Sequence, residues 1–253
     1  MKIPLIVGNW KMNLLAKEAA ELALGIKKEV EKITDVRVVL APSFTLLHSV
    51  SQILSRSQVR LASQDIHFEK NGAFTGEVSP AMIKDVGCEY AIIGHSERRR
   101  LFGETDGSVN KKILAALEHR ISAILCVGET EEQRRAGETH KIIETQVSKA
   151  LDEVSSQQLE HLVIAYEPVW AIGTGENASA DQAAEIHSLI RKIVAEKYHG
   201  NEIKPLTILY GGSVTPRNGR EFLQHQEIDG ALVGGASLNI DSFCDIIRSA
   251  HTV

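Results

Sequence analysis

The strongest constraint on this chain is an alternation: short apolar runs and segments of helical period follow one another along nearly its whole length. The runs are Leu5 to Trp10, Val36 to Ala41, Val59 to Ser63, Tyr90 to Gly94, Ile121 to Val127, Leu162 to Tyr166, Thr207 to Tyr210 and Ala231 to Val233. Each is nearly continuous in its apolar character, as strands buried on both faces of a parallel sheet should be. The intervening segments carry apolar stripes of helical period: Val109, Ile113, Ala116 and Leu117, then Ile143, Val147, Ala150, Leu151 and Val154, then Ile186, Ile190, Ile193 and Val194. Lys17 to Val30 reads as a first helix and Ser179 with Gln182 as a capping box. Pro216 to Leu223 and Ile240 to Ser249 read as the last helical segments.

Strict alternation of strand and helix implies an α/β fold with a parallel sheet, and about eight such units fit a closed (β/α)8 barrel. The 253 residues are then one domain, residues 1–253. The rival architecture, an open doubly wound sheet, requires a glycine-rich first βα turn. That turn reads Gly8-Asn9-Trp10-Lys11-Met12-Asn13 and lacks the glycines.

A net charge of −5 argues against a nucleic-acid or membrane-surface partner. Arg98-Arg99-Arg100 is the one basic run and reads as a helix face with one paired member. Cys88, Cys126 and Cys244 show no metal-ligand spacing and read as reduced thiols of a cytoplasmic protein, Cys126 as a small buried residue and not a nucleophile. The apolar run near Met1 is too short for a signal peptide, and no apolar stretch has the length of a membrane span.

In either fold the chemistry belongs at the carboxyl ends of the strands. There Glu167 stands between the run Leu162 to Tyr166 and a Pro- and Gly-bearing loop through Gly175, so a buried strand hands a carboxylate to a lid, Val169 to Thr174. His95 ends the fourth run just before Ser96, a residue suited to cap a helical turn, and a histidine at the positive end of a helix is held neutral and can polarise a carbonyl. Glu97 beside it reads as a supporting carboxylate or a partner of Arg98, and Glu129 as structural with Thr130 as a cap. Lys11, close to Asn9, can hold an anion or sit on the surface. Gly211-Gly212-Ser213 and Gly234-Gly235 follow the last two strands, where converging backbone N–H groups cradle phosphate. A base, a neutral electrophile, a cation and a phosphate cradle suit proton transfer next to a carbonyl in a small phosphorylated molecule, with no metal or cofactor.

The motifs Gly8 to Asn13, Gly72-Ala73-Phe74-Thr75-Gly76-Glu77, Ile93 to Arg98, Cys126 to Glu129, Ala165 to Gly175, Tyr210 to Val214 and Leu232 to Leu238 stand in one order along the chain. In these motifs the chain closely resembles the triosephosphate isomerase family, itself the type example of the barrel's name, of the neutral-histidine pair and of loop closure. The resemblance implies a TIM barrel that interconverts dihydroxyacetone phosphate and D-glyceraldehyde 3-phosphate in glycolysis and gluconeogenesis. It implies Glu167 as base, His95 as electrophile, Asn9 and Lys11 as substrate contacts, and the backbone of Gly173, Ser213, Gly234 and Gly235 as the phosphate site. It further implies a homodimer in which the loop around Phe74, Thr75, Gly76 and Glu77 reaches the neighbour, Thr75 near the partner's Asn9 and Lys11 region and Glu77 against Arg98. The chain departs from the family pattern at Asp65, where Asn is common, and at Asn239, where Lys is common. A metal-using sugar-phosphate epimerase and an idle barrel kept as a binding protein are the rival readings.

Overall fold

The apolar runs fold as strands. The computed structural model describes residues 3–171, 178–198 and 204–251. Its strands are β1 (Leu5–Asn9), β2 (Arg37–Ala41), β3 (Arg60–Ser63), β4 (Tyr90–Ile93), β5 (Ser122–Val127), β6 (Leu162–Tyr166), β7 (Thr207–Tyr210) and β8 (Gly230–Val233). They pair in chain order, all parallel, and β8 returns to β1 through Leu5 opposite Gly230, so the sheet closes into a barrel. Closure leaves no edge strand to protect.

Helices cover the outside. They are α1 (Ala16–Glu29), α2 (Leu47–Leu54), α3 (Pro80–Asp85), α4 (Ser96–Phe102), α5 (Asp106–Glu118), α6 (Glu131–Arg135), α7 (Thr139–Ala150), α8 (Ala180–Lys197), α9 (Gly219–Leu223) and α10 (Ile240–His251). The stripes expected from the period face the strands: Val109, Ile113 and Ala116 of α5, Ile143 and Val147 of α7, and Ile186 and Ile190 of α8 are all buried. At the start of α8 the capping box forms as read, with Gln182 N–H donating to Ser179 Oγ at 3.1 Å and Ser179 N–H to Gln182 Oε1 at 3.1 Å. Asn239 has a local role: its Oδ1 accepts the Ser242 N–H at 2.9 Å at the start of α10, a capping bond that a lysine side chain cannot supply.

Two apolar layers result from the two faces of each strand. One fills the barrel interior with Leu5, Val7, Val39, Ile92, Ile124, Cys126, Val163, Ala165, Leu209 and Leu232. The other lies between strands and helices and holds Ile6, Leu40, Ile93, Leu125, Ile164 and Ile208 against the helix stripes. No helix among the described residues is long and apolar enough to cross a membrane.

Candidate active site

Strand period decides which residues meet at the mouth of the barrel. Inward residues alternate, so the sequence Leu5, Val7 continues to Asn9, Val163 and Ala165 to Glu167, Leu209 to Gly211, and Leu232 to Gly234. Asn9, Glu167, Gly211 and Gly234 do line one cavity of about 320 Å³, together with Lys11, His95, Ser213 and Gly235. On β4 the same count reaches Gly94, not His95. Gly94 has φ +72, a left-handed turn that only glycine makes at low cost, and it swings His95 inward out of step with its strand.

His95 Nε2 lies 2.9 Å from Glu167 Oε1, and the Ser96 N–H donates to Glu167 Oε2 at 2.9 Å. His95 Nδ1 accepts the Glu97 N–H at 3.2 Å, which makes His95 itself the cap of α4. Ser96, expected as the cap, is instead the first residue of the helix. A ring nitrogen that accepts an N–H carries no proton, so this hydrogen-bond network assigns the neutral tautomer with the proton on Nε2. Burial pushes the His95 pKa down, but the Glu167 and Glu97 carboxylates together lift it by more and the net direction is upward. Burial likewise pushes the Glu167 carboxyl up, while His95 and the Ser96 N–H pull it below the ordinary carboxylate value. The base is therefore held ionised in this arrangement, its carboxylate stabilised by two donors.

Bare backbone shapes the slot around Glu167. A Cβ on Gly128 would sit 1.7 Å from the Glu167 carbonyl oxygen, and one on Gly211 would sit 2.9 Å from Glu167 Cγ. The end of β5 can close on the Glu167 main chain, and the end of β7 on its side chain, only because neither carries a side chain there.

Lys11 enters the cavity from a strained position. Its φ is +53, a conformation that costs a non-glycine residue on the order of 1–3 kcal/mol. Two side chains hold it there: Asn9 Oδ1 accepts the Lys11 N–H at 3.0 Å, and Gln64 Nε2 donates to the Lys11 carbonyl at 2.8 Å and to the Ala41 carbonyl at 2.8 Å. Its ammonium donates to Glu97 Oε1 at 2.6 Å, so Glu97 pairs with Lys11 and not with Arg98. The same ammonium lies beside Gly234, 3.8 Å from where a Cβ would be, an ordinary van der Waals distance. Gly234 and Gly235 lead into a short 3-10 turn, Gly235–Leu238, and Ser213 faces them in the same cavity. Gly173, the remaining expected phosphate contact, lies outside the described residues.

Of the expected lid, Val169–Ala171 forms a 3-10 turn, and residues 172–174 lie outside the described residues. Glu129, fully buried, holds this turn: its Oε1 accepts the Trp170 Nε1–H at 2.8 Å and the Tyr166 hydroxyl at 3.1 Å, and its carbonyl accepts the Val169 N–H at 3.1 Å. The Arg134 guanidinium lies over the Trp170 ring at 3.9 Å. Cys126 is fully buried and burial pushes its thiol well up, so it stays protonated and inert.

Beside the site, Asp65 joins a buried cluster of opposite charges. Lys112 Nζ donates to both Asp65 oxygens at 2.7 and 2.9 Å and also binds Glu104, while Arg98 reaches Asp65 at 2.9 Å and Glu104 at 2.8 Å. Arg99 pairs with Asp106 at 2.6 Å, so the basic run has two paired members where one was expected. Burial and the neighbouring Glu104 carboxylate together raise the Asp65 carboxyl by more than Lys112 and Arg98 lower it; for Glu104 the balance is reversed and the carboxyl is lowered.

A family model described as triosephosphate isomerase matches residues 4–250. The triosephosphate isomerase of Trichlorobacter lovleyi is 48% identical over 248 residues, covering 98% of this chain and 99% of the relative. That of Aquifex aeolicus is 49% identical over 245 residues, 97% of this chain and 98% of the relative. The crystal structure of triosephosphate isomerase from Bartonella henselae superposes with a TM-score of 0.89 at 34% identity, covering 98% of each chain. Fold, strand-end residues and relatives agree, and the chain belongs to the triosephosphate isomerase family.

Proposed function

We propose that the chain interconverts dihydroxyacetone phosphate and D-glyceraldehyde 3-phosphate, an aldose–ketose isomerisation, with Glu167 as the base. The observation that carries this reading is the His95–Glu167 pair facing the bare Gly234-Gly235 turn across one small cavity. At about 320 Å³ the cavity is near the lower end of ligand pockets, roughly 300–1,000 Å³, which favours a small substrate. The phosphate rests on the backbone of Gly173, Ser213, Gly234 and Gly235, with the Lys11 ammonium beside it, and Asn9 holds Lys11 in place.

A substrate carbonyl oxygen takes the place of Glu167 Oε1 as acceptor of the His95 Nε2–H. Glu167, released from that bond, removes the proton from the carbon next to the carbonyl. The C–H electron pair becomes the C=C bond of an enediolate and the carbonyl π pair moves onto oxygen. His95 passes its Nε2 proton to that oxygen and takes one from the neighbouring hydroxyl. Glu167 then returns its proton to the former carbonyl carbon as the second oxygen becomes the new carbonyl, and no net proton is gained or lost. The lid, Val169 to Thr174, shields the enediolate, which would otherwise expel its phosphate.

The barrel is read as one catalytic domain, residues 1–253, working in the cytoplasm without metal or cofactor. It is also read as a homodimer. Large exposed apolar side chains follow consecutive strands, Met12 after β1, Phe44 after β2, Phe74 after β3 and Phe102 after β4, and a second copy would cover them. A coupled assay of glyceraldehyde 3-phosphate isomerisation tests the function. Turnover without added metal is expected, and no turnover by folded protein overturns the reading.

A further inference from the structure

Arg99 is placed outside the substrate cavity, yet its guanidinium touches the end of β4, which leads into His95, and the end of β5, the strand between β4 and the Glu167 strand β6. Its Nε donates to the Gly94 carbonyl at 2.8 Å, its Nη2 to the Cys126 carbonyl at 3.4 Å, and its Nη1 to Asp106 Oδ1 at 2.6 Å. The last rung of the β4–β5 ladder pairs Ile93 with Leu125. Gly94 and Cys126 are the next residues on each side, so the guanidinium bridges the two strands one step past the point where the ladder stops. Gly94 is joined to His95, and the residue after Cys126, Val127, accepts the Glu167 N–H at 2.8 Å. Asp106, first in α5, fixes the guanidinium from the other side. Gly94 also leaves room for it, since a Cβ there would lie 3.1 Å from Arg99 Nη2.

From this bridge we infer that Arg99, held by Asp106, is a positioning residue that sets the separation between His95 and Glu167. The Gly94–His95 peptide is oriented by the Arg99 Nε bond, and the β5 end that seats Glu167 is oriented by the Nη2 bond. A planar guanidinium presents separate, fixed donors to the two carbonyls and to Asp106, whereas a lysine offers a single nitrogen on a flexible stem. A second cavity of about 490 Å³, lined by Ser96, Arg99, Asp106, Cys126, Gln146 and Glu167, opens onto the bridge and is wide enough to admit a free guanidinium ion.

The inference rests on the proposed isomerase reading, and its test separates the two. In the full-length chain, Arg99→Met is expected to lower kcat about 10- to 100-fold with KM within about twofold, as a slightly misplaced pair should. Arg99→Lys is expected to fall between, and guanidinium ion to restore part of the Arg99→Ala rate. The imidazole 15N signals of His95 should move in each variant. Unchanged kcat and unchanged His95 signals, even with a lower melting temperature, would show that Arg99 only supports the fold and overturn the inference. If Arg99→Met fails to fold, Asp106→Asn carries the test: a smaller kcat loss with shifted His95 signals supports the inference, and neither change overturns it. If the wild-type chain does not isomerise trioses, the function reading fails, and the His95 signals still decide whether Arg99 positions the ring.

Discussion

His95 Nε2 and Glu167 Oε1 stand 2.9 Å apart although they come from β4 and β6, strands that are separated in the barrel by β5. The pair fixes the sign of the pH response. Its stabilisation of the carboxylate lowers the Glu167 pKa in the free protein, so the base stays ionised to lower pH than an ordinary glutamate. In a titration of the free protein, the limb that reports Glu167, followed by the 13C shift of its side-chain carboxyl, should lie below 4.5. A limb above that value would mean that His95 and Ser96 do not hold the carboxylate in solution.

Glu167→Gln keeps the shape of the side chain and removes its basicity. Turnover should fall by at least roughly 10²–10⁴, the usual worth of general base catalysis, while the circular dichroism spectrum stays unchanged. Near-normal turnover would exclude Glu167 as the base.

The charge cluster beside the site makes two predictions of opposite sign. Asp65 has its carboxyl raised, with burial the largest cause, so stability is lost as pH rises through its folded pKa, and the melting temperature of Asp65→Asn relative to the native chain should rise from about pH 4 to pH 7. The difference should level off near pH 4, below which Asp65 is protonated in both states. Glu104 has its carboxyl lowered, so its contribution is present at neutral pH and lost as pH falls, and Glu104→Gln should melt lower at pH 7 with the deficit shrinking in acid. Calorimetry of both variants across that range reads each sign directly.

Gly211→Ala would place a Cβ 2.9 Å from Glu167 Cγ and 3.1 Å from the Tyr166 carbonyl oxygen. The carboxylate must move, and kcat should drop about 10- to 100-fold with little change in KM. Gly128→Ala meets backbone at 1.7 Å, so its expected effect is loss of folded protein in place of a clean kinetic defect. Steady-state kinetics and soluble yield distinguish the two.

The dimer reading predicts that Phe74→Asp, which charges an exposed side chain on the 64–79 segment, shifts sedimentation toward half the native mass and lowers activity with it. A wild-type chain that sediments as a monomer at micromolar concentration would refute the dimer.

The barrel was legible because buried parallel strands are apolar on both faces. The runs Leu162 to Tyr166 and Thr207 to Tyr210 match β6 and β7 end to end, and each of the others differs from its strand by one residue. The strand period then leads from Ala165 to Glu167 and from Leu232 to Gly234, so most of the site could be placed without a structure. His95 is out of period, and its inward turn depends on the φ of Gly94. Gln64 could not be found, since it acts on carbonyls of Lys11 and Ala41 that are 53 and 23 residues away, through side-chain-to-backbone bonds that leave no repeat in the chain. Glu129 was read as structural, and its bonds to Trp170 Nε1 and the Val169 N–H tie it to the lid. Arg99 was legible only as part of a basic run, because the carbonyls it bridges carry no side-chain signature.

Gly128 and Gly211 also restrict what a descendant of this barrel could become. Gly128 packs on the main chain of residue 167 and Gly211 on its side chain, so a bulkier acid–base group there could be accommodated only by moving the end of β7, since no side chain at 211 remains to be trimmed. New chemistry on this scaffold is more accessible at position 11, where the left-handed backbone is braced by Asn9 and Gln64, two side chains that single substitutions can alter.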